Sequence, residues 1–342
     1  MTATSVPVSR LATQLQAEER KQQRSFVGLT VARLRRDRLT MISVVFLAMV
    51  VVLAAGAGVW SNLLVGVGPN DTNLDSTLQP GYFWPYVQWK LGLDATRAPQ
   101  LLAQSQGTTH WLGTDSLGRD QLVRLLYGAR VSMLIALFGA GISLLLGGVL
   151  GMGAGFFGGR IDDVYSWLIN TFSSVPTLFI LILITSIWHP SAVTLALFLG
   201  LFGWVGIARF MRGQVLQVKA LDYTLAARSV GASILRIMWY HILPNSIPLI
   251  LVLVTVDIGA LILTESILSF LGLGVQPPQA TWGSMLAKSQ DHLFLIDADT
   301  GRYLAWHLIF PPGILIFLTV LSLYLLGDGL RDAIDPQLQT RS

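Results

Sequence analysis

Residues 131–159 read VSMLIALFGAGISLLLGGVLGMGAGFFGG, without one charged side chain. A helix needs about 20 apolar residues to cross about 30 Å of hydrocarbon, so this stretch can span a bilayer. Glycines recur along it every four residues, at Gly147, Gly151, Gly155 and Gly159. That spacing strips one face of side chains and lets a second helix backbone approach closely in lipid. Gly153, Gly155 and Gly158 also form a lone GxGxxG. A dinucleotide site would need a preceding strand and a soluble βαβ unit, and an uninterrupted membrane helix supplies neither.

Composition agrees with the membrane reading. The 342 residues are 53% hydrophobic and 12% charged, against about 25% charged in an ordinary soluble domain. A soluble fold this apolar would lack the charges to coat its surface. Further apolar runs lie at Leu39–Trp60, Val164–Trp188, Pro190–Ala208, Ile242–Leu273 and Tyr303–Gly327. The expectation is an all-α polytopic membrane protein with six transmembrane helices in residues 39–327, flanked by tails at 1–38 and 328–342. The first run is longer than a signal-peptide core and follows a polar tail of about 38 residues, so it reads as a retained anchor.

Lys and Arg set the orientation. With a cytoplasmic N-terminus, the inner side receives Arg10, Arg20, Lys21, Arg24, Arg33, Arg35, Arg36, Arg38, Arg160, Arg209, Arg212, Lys219, Arg228, Arg236, Arg331 and Arg341. The outer side receives Lys90, Arg97, Arg119, Arg124, Arg130, Lys288 and Arg302. Both termini are therefore expected in the cytoplasm, with outer loops at 60–130 and 274–302 and an inner loop at 209–244. Asp115 precedes Arg119 by four residues, as Asp120 precedes Arg124. The segment reads as a short amphipathic helix at the interface whose charges pair.

Several functions are excluded or disfavoured. Without cysteine there is no disulfide or thiolate metal site. His110, His189, His241, His292 and His307 lack metal-ligand spacing. No GxxxxGK[ST] loop, nucleophile–base set or basic face interleaved with aromatics is present, so the chain is expected to bind no ATP, metal or nucleic acid itself. Asp257 and Glu265 are the carboxylates placed well inside a span, where ionisable groups face protein interior or a water-filled path. Each reads either as lining a solute pathway or as making a buried hydrogen bond, and Glu265 suits a structural role at the turn that follows.

The 209–244 connection is long and regular. Leu221–Val230 (LDYTLAARSV) is rich in helix formers; Asp222 suits the N-terminal end of a helix dipole and Gly231 a helix stop. A second helical stretch, Ser233–Ile242, leads to Pro244 and Pro248. The pair reads as a solvated hairpin or as a docking surface, since Ala226, Ala227 and Gly231 let a partner come close.

Residues 225–245, LAARSVGASILRIMWYHILPN, resemble the EAA loop of ABC-importer permeases, with Ala226, Ala227, Gly231, Leu243 and Pro244 on the pattern. Leu225 stands in place of the usual Glu and His241 in place of an Ile. His110–Ser132 (HWLGTDSLGRDQLVRLLYGARVS), Glu265–Gly274 (ESILSFLGLG), Gln276–Gly283 (QPPQATWG) and Leu326–Pro336 (LGDGLRDAIDP) resemble the dipeptide/oligopeptide/nickel branch, C-type subunit. Trp167 and Asn170 depart from that branch, and residues 288–306 lengthen its last outer loop, adding Asp291, Asp297 and Asp299. The resemblance implies the type I importer permease fold in a bacterial inner membrane. It further implies a homologous B-type permease partner, two ATPase subunits that bind ATP and Mg, and an extracytoplasmic substrate-binding protein. Di- or oligopeptides lead as cargo, with nickel chelates or other small solutes open. The rivals are a self-sufficient channel or secondary transporter, for which no internal repeat is visible, and a scaffold without transport.

Overall fold

The computed structural model describes residues 28, 31–78, 81, 110–292 and 306–334. Most of the N-terminal tail, parts of both outer loops (with Asp297 and Asp299) and residues 335–342 lie outside the described residues. Among those described the chain is helical, with no strand beyond one isolated antiparallel bridge between Thr114 and Asp120.

The helices are α1 (Arg38–Ala55), α2 (Ala57–Leu64), α3 (Gln121–Phe157), α4 (Gly159–Ser173) and α5 (Thr177–Ile187). They continue as α6 (Ala192–Lys219), α7 (Asp222–Ser229), α8 (Ile234–Ile237), α9 (Leu243–Phe270), α10 (Trp282–Ser289) and α11 (Trp306–Ile334). Five are long and apolar enough to cross a membrane, counting the stretch Ile234–Phe270 as one, and α4 with α5 make a sixth, broken span. Each start has a local cause. Asp37 accepts the Leu39 and Thr40 amides to cap α1, Asp120 accepts the Val123 amide to cap α3, and Ser191 accepts the Thr194 amide to cap α6. These are the side-chain oxygens that satisfy otherwise orphaned amides.

The span expected as one helix at Val164–Trp188 is bent by 69° between α4 and α5. Pro176 is the cause: it disfavours helical geometry at Val175 and offers no amide to the preceding turn. Two other spans outrun their apolar cores. Helix α3 starts at Gln121, ten residues into the expected outer loop, and α6 continues to Lys219, past Arg209 and Arg212. At 1.5 Å per residue the 37-residue α3 is about 55 Å long, so its ends project beyond the hydrocarbon.

Helices α3 and α6 form the closest pair. A Cβ on Gly147 would sit 2.7 Å from the Trp204 carbonyl oxygen, one on Gly151 would strike the Ala208 carbonyl, and one on Gly155 would lie 2.8 Å from the Val215 Cβ. Gly200 returns the contact, its Cβ position lying 2.6 Å from the Cβ of Ile142. Gly159 does not join this seam: it sits past the Gly158 corner and nothing approaches it within 4 Å. Helix α9 packs against α3 and α11, and α1 lies along α11, where Thr40 meets Gly329. The bundle thus has a basic end, which gathers the starts of α1 and α9 and the finishes of α3, α6 and α11, and a far end at Gln121 and Trp306.

Gly151→Val should therefore cost about 1–3 kcal/mol through overpacking, read as a lower melting temperature of the purified protein. Gly148→Val, whose Cβ would meet nothing within 4 Å, should stay within about 0.5 kcal/mol of the parent.

Candidate functional site

The basic end carries a knuckle made by α7, α8 and the start of α9. Helix α6 runs ten residues past Arg209, about 15 Å, before Ala220 and Leu221 turn the chain into α7. Asp222 sits in the first turn of α7, where its charge favours the helix dipole. At the other end the Gly231 amide donates to the Arg228 carbonyl and the Ala232 amide to the Ala227 carbonyl. This is a Schellman closure, which requires the residue between to be left-handed; Gly231 has φ +81°. Ser233 then caps α8 through the Arg236 amide.

Between α8 and α9 the helix does not stop. It widens into a π turn at Met238–Ile242 and continues, so Ile234–Phe270 is one continuous path. Pro244 explains the widening, since it cannot donate to the carbonyl four residues earlier. The Asn245 amide group donates to the His241 carbonyl at 2.5 Å and the Ser246 hydroxyl to the Ile242 carbonyl at 2.9 Å. Leu243 and Pro244 thus sit where the π turn passes into the span. On the other side Lys219 donates to the Phe156 carbonyl at 2.6 Å, fastening the end of α6 to the end of α3.

The knuckle presents apolar surface to the outside. Val230 is 85% exposed, Leu235 68% and Tyr240 74%, with Leu225 and Trp239 also exposed. Ala226 and Gly231 are exposed among them, and Ala227 is half-buried. Leu225 and Arg228 line a cleft of about 300 Å³ with Phe156, Leu216, Lys219 and Thr224. Thr224 is buried at its base. Asp222, Arg228 and Arg236 are exposed on the same segment.

Deep in the bundle the two carboxylates differ. Glu265 is 0% exposed and accepts from Ser132 at 3.1 Å and Ser269 at 2.7 Å. Ser132 in turn accepts the Trp282 amide, and the Trp282 indole donates to the Leu125 carbonyl at 3.1 Å. Glu265 therefore joins α9 to α3 and α10. Asp257 is half-buried, and its Oδ2, shut off from solvent, has no hydrogen-bond partner.

At the far end the expected amphipathic helix does not form. Residues 111–119 make turns, with Gly118 at φ +70°, and helix begins only at Gln121. Asp115 does pair with Arg119, accepting from its Nε at 2.8 Å. Burial pushes the Asp115 carboxyl up, but hydrogen bonds from the Arg119 guanidinium and the Leu117 amide hold it below its ordinary value. Depressed in the folded state, it lends stability that is lost only as pH falls through the acidic carboxylate range. Asp120 does not pair with Arg124. It caps α3 and meets His110 Nδ1 at 2.8 Å, while Arg124 donates to the Pro69 carbonyl at 3.0 Å and lies 3.7 Å from Asp115.

One contact escaped the sequence reading. Arg212 on α6 binds Asp162 on α4 through two bonds, 2.5 and 2.7 Å, and Arg209 donates to Ser173 at 2.6 Å. Fifty residues separate Arg212 from Asp162, so no local spacing announces the pair.

Comparison with known proteins matches residues 147–340 to the family of binding-protein-dependent transport system inner membrane components. The chain is 42% identical over 230 residues to the dipeptide transport system permease protein DppC of Bacillus subtilis, covering 67% of this chain and 69% of that one. It is 34% identical over 307 residues to the oligopeptide transport system permease protein OppC of the same organism, covering 90% and 88%. It is also 37% identical over 239 residues to the glutathione transport system permease protein GsiD of Pectobacterium atrosepticum, covering 70% and 76%.

Replacing Glu265 separates its anchoring role from any other. Glu265→Ala strands the Ser132 and Ser269 hydroxyls and should destabilise the protein by about 1–3 kcal/mol, while Glu265→Gln, which keeps an acceptor, should cost less. Melting curves of the purified variants check the order.

Proposed function

The chain belongs to the family of binding-protein-dependent transport system inner membrane components, and on that premise we propose that it is the C-type, pore-forming permease subunit of an ATP-driven peptide importer. Its helical bundle is the type I importer permease fold. ATP and Mg bind to two separate ATPase subunits, a homologous B-type permease completes the pore, and an extracytoplasmic binding protein delivers the cargo. The basic end faces the cytoplasm, as the Lys and Arg distribution favours, and both termini lie there. Peptide is the cargo named for the relatives, and the match to them supports it over a nickel chelate.

The observation that carries this reading is the knuckle, an apolar, small-residue surface held about 15 Å beyond Arg209. A channel or secondary transporter working alone has no use for it. An ATPase seated on Leu225, Ala226, Ala227 and Gly231 would act on two helices at once. Helix α6 leads into the knuckle and α8 continues from it into α9, while Lys219 and the glycine seam make α3 follow α6. ATP-driven closure of the motors then biases two arrangements of the spans, a coupling between remote sites. The cargo crosses without chemical change.

Ala226→Arg tests the docking without straining the backbone, because Ala226 is exposed and helical. In the importer reconstituted with its ATPase and binding-protein partners, ATP-dependent peptide uptake should fall at least about tenfold, roughly 1.4 kcal/mol. Co-purification of the ATPase subunits should fall with it, and the melting temperature of the isolated variant should stay unchanged. Uptake at the parent rate would contradict the docking.

A further inference from the structure

Asp257 lies midway along the 28-residue α9, about 20 Å from either end. Gly259, on the opposite side of the helix, packs against Val320, Leu323 and Tyr324 of α11. By helical periodicity Asp257 shares a face with Ile250, Val254 and Leu261. Ile250 and Val254 cluster with Ile207 and Met211 of α6, and Leu261 reaches Gly139 of α3 and Gly203 of α6. Asp257 itself is only half-buried on this face.

A carboxylate at this depth needs a counter-charge, hydrogen bonds or water. Glu265 shows what satisfaction inside the chain looks like: two hydroxyl donors and full burial. Asp257 has neither, and among the described residues it forms no ion pair. The cations of α6 stand nearer the basic end, at and below the level of Arg209. Helix α3 has none between Arg130 and its end. Among the described residues no cation of the chain reaches Asp257.

We propose that Asp257 is a specificity-determining residue of the pathway, which pairs at mid-membrane with the ammonium group of the passing peptide. The inference rests on the peptide-permease reading above and adds the chemistry that the chain itself selects. A peptide carries its α-ammonium wherever it goes, and stripping that cation of water in the membrane is costly unless an anion replaces the water. One carboxylate, without further ligands, compensates the charge yet releases it, as conduction requires. Cargo with an additional Lys side chain gains from the same group, and cargo with an additional Glu is disfavoured.

The test uses the whole importer in proteoliposomes, with one unmodified binding protein, and follows uptake of Ala-Ala, Lys-Ala and Glu-Ala. Asp257→Asn should lower Ala-Ala uptake about tenfold and shrink the ratio of Lys-Ala to Glu-Ala uptake, with the complex assembled; Asp257→Glu should restore both. Since the binding protein is unchanged, an altered ratio belongs to this chain. Unchanged rate and ratio in Asp257→Asn would overturn the proposal. So would dissociation of the two permease subunits, which would assign Asp257 to a cation of the neighbouring subunit. Failure of the parent importer to move any peptide would overturn the peptide reading itself, and this inference with it.

Discussion

Lipid tails attract one apolar helix as well as another helix does, so association in a membrane must come from close packing and polar contacts. The structure meets that constraint with the α3–α6 seam. Gly147, Gly151 and Gly155 bring backbone against the carbonyls of Trp204, Ala208 and Arg212, and Gly200 answers from the other side against Ile142. No side chain could be inserted at these points without moving a helix. Lys219 on the Phe156 carbonyl locks the basic end of this pair, and around it the remaining spans are placed by discrete polar fasteners: Glu265 and Trp282 towards the far end and Asp162 with Arg212 at the basic end.

That placement has a consequence for force transmission. The knuckle joins α6 to α9 through two short helices and one glycine corner. Its far side is continuous with a span through the π turn forced by Pro244. A load applied at Val230 or Leu225 is therefore not absorbed by a slack loop. It reaches α9, which carries Asp257 midway and Glu265 a further two turns on. Glu265 is tied to its neighbours and Asp257 Oδ2 is not.

Much of this was legible from residue order because some signals sum over many positions. Six apolar runs announce themselves through transfer energy accumulated over about 20 residues each, and the four-residue glycine spacing names the face that packs. Signals resting on one residue or on long-range geometry were less legible. Pro176 breaks a span whose hydropathy is unbroken. Helix α6 continues through Arg209 and Arg212 because helices do not end where lipid does. Asp115, Arg119, Asp120 and Arg124 have helical spacing, but the Gly118 turn leaves Asp120 at a helix start, where the Val123 amide and His110 take its carboxylate. Gly159 keeps the glycine period but falls beyond the Gly158 corner. The Asp162–Arg212 pair bridges fifty residues and has no local signature.

The central claim, that a separate motor seats on the knuckle, is most directly tested by proximity. The chain contains no cysteine, so Val230→Cys carries a single thiol, on a side chain 85% exposed in the parent. Labelled with a short photoreactive maleimide and irradiated in the assembled, transporting importer, it should form adducts with an ATPase subunit. A transporting importer whose label reacts with lipid or solvent alone would contradict the account.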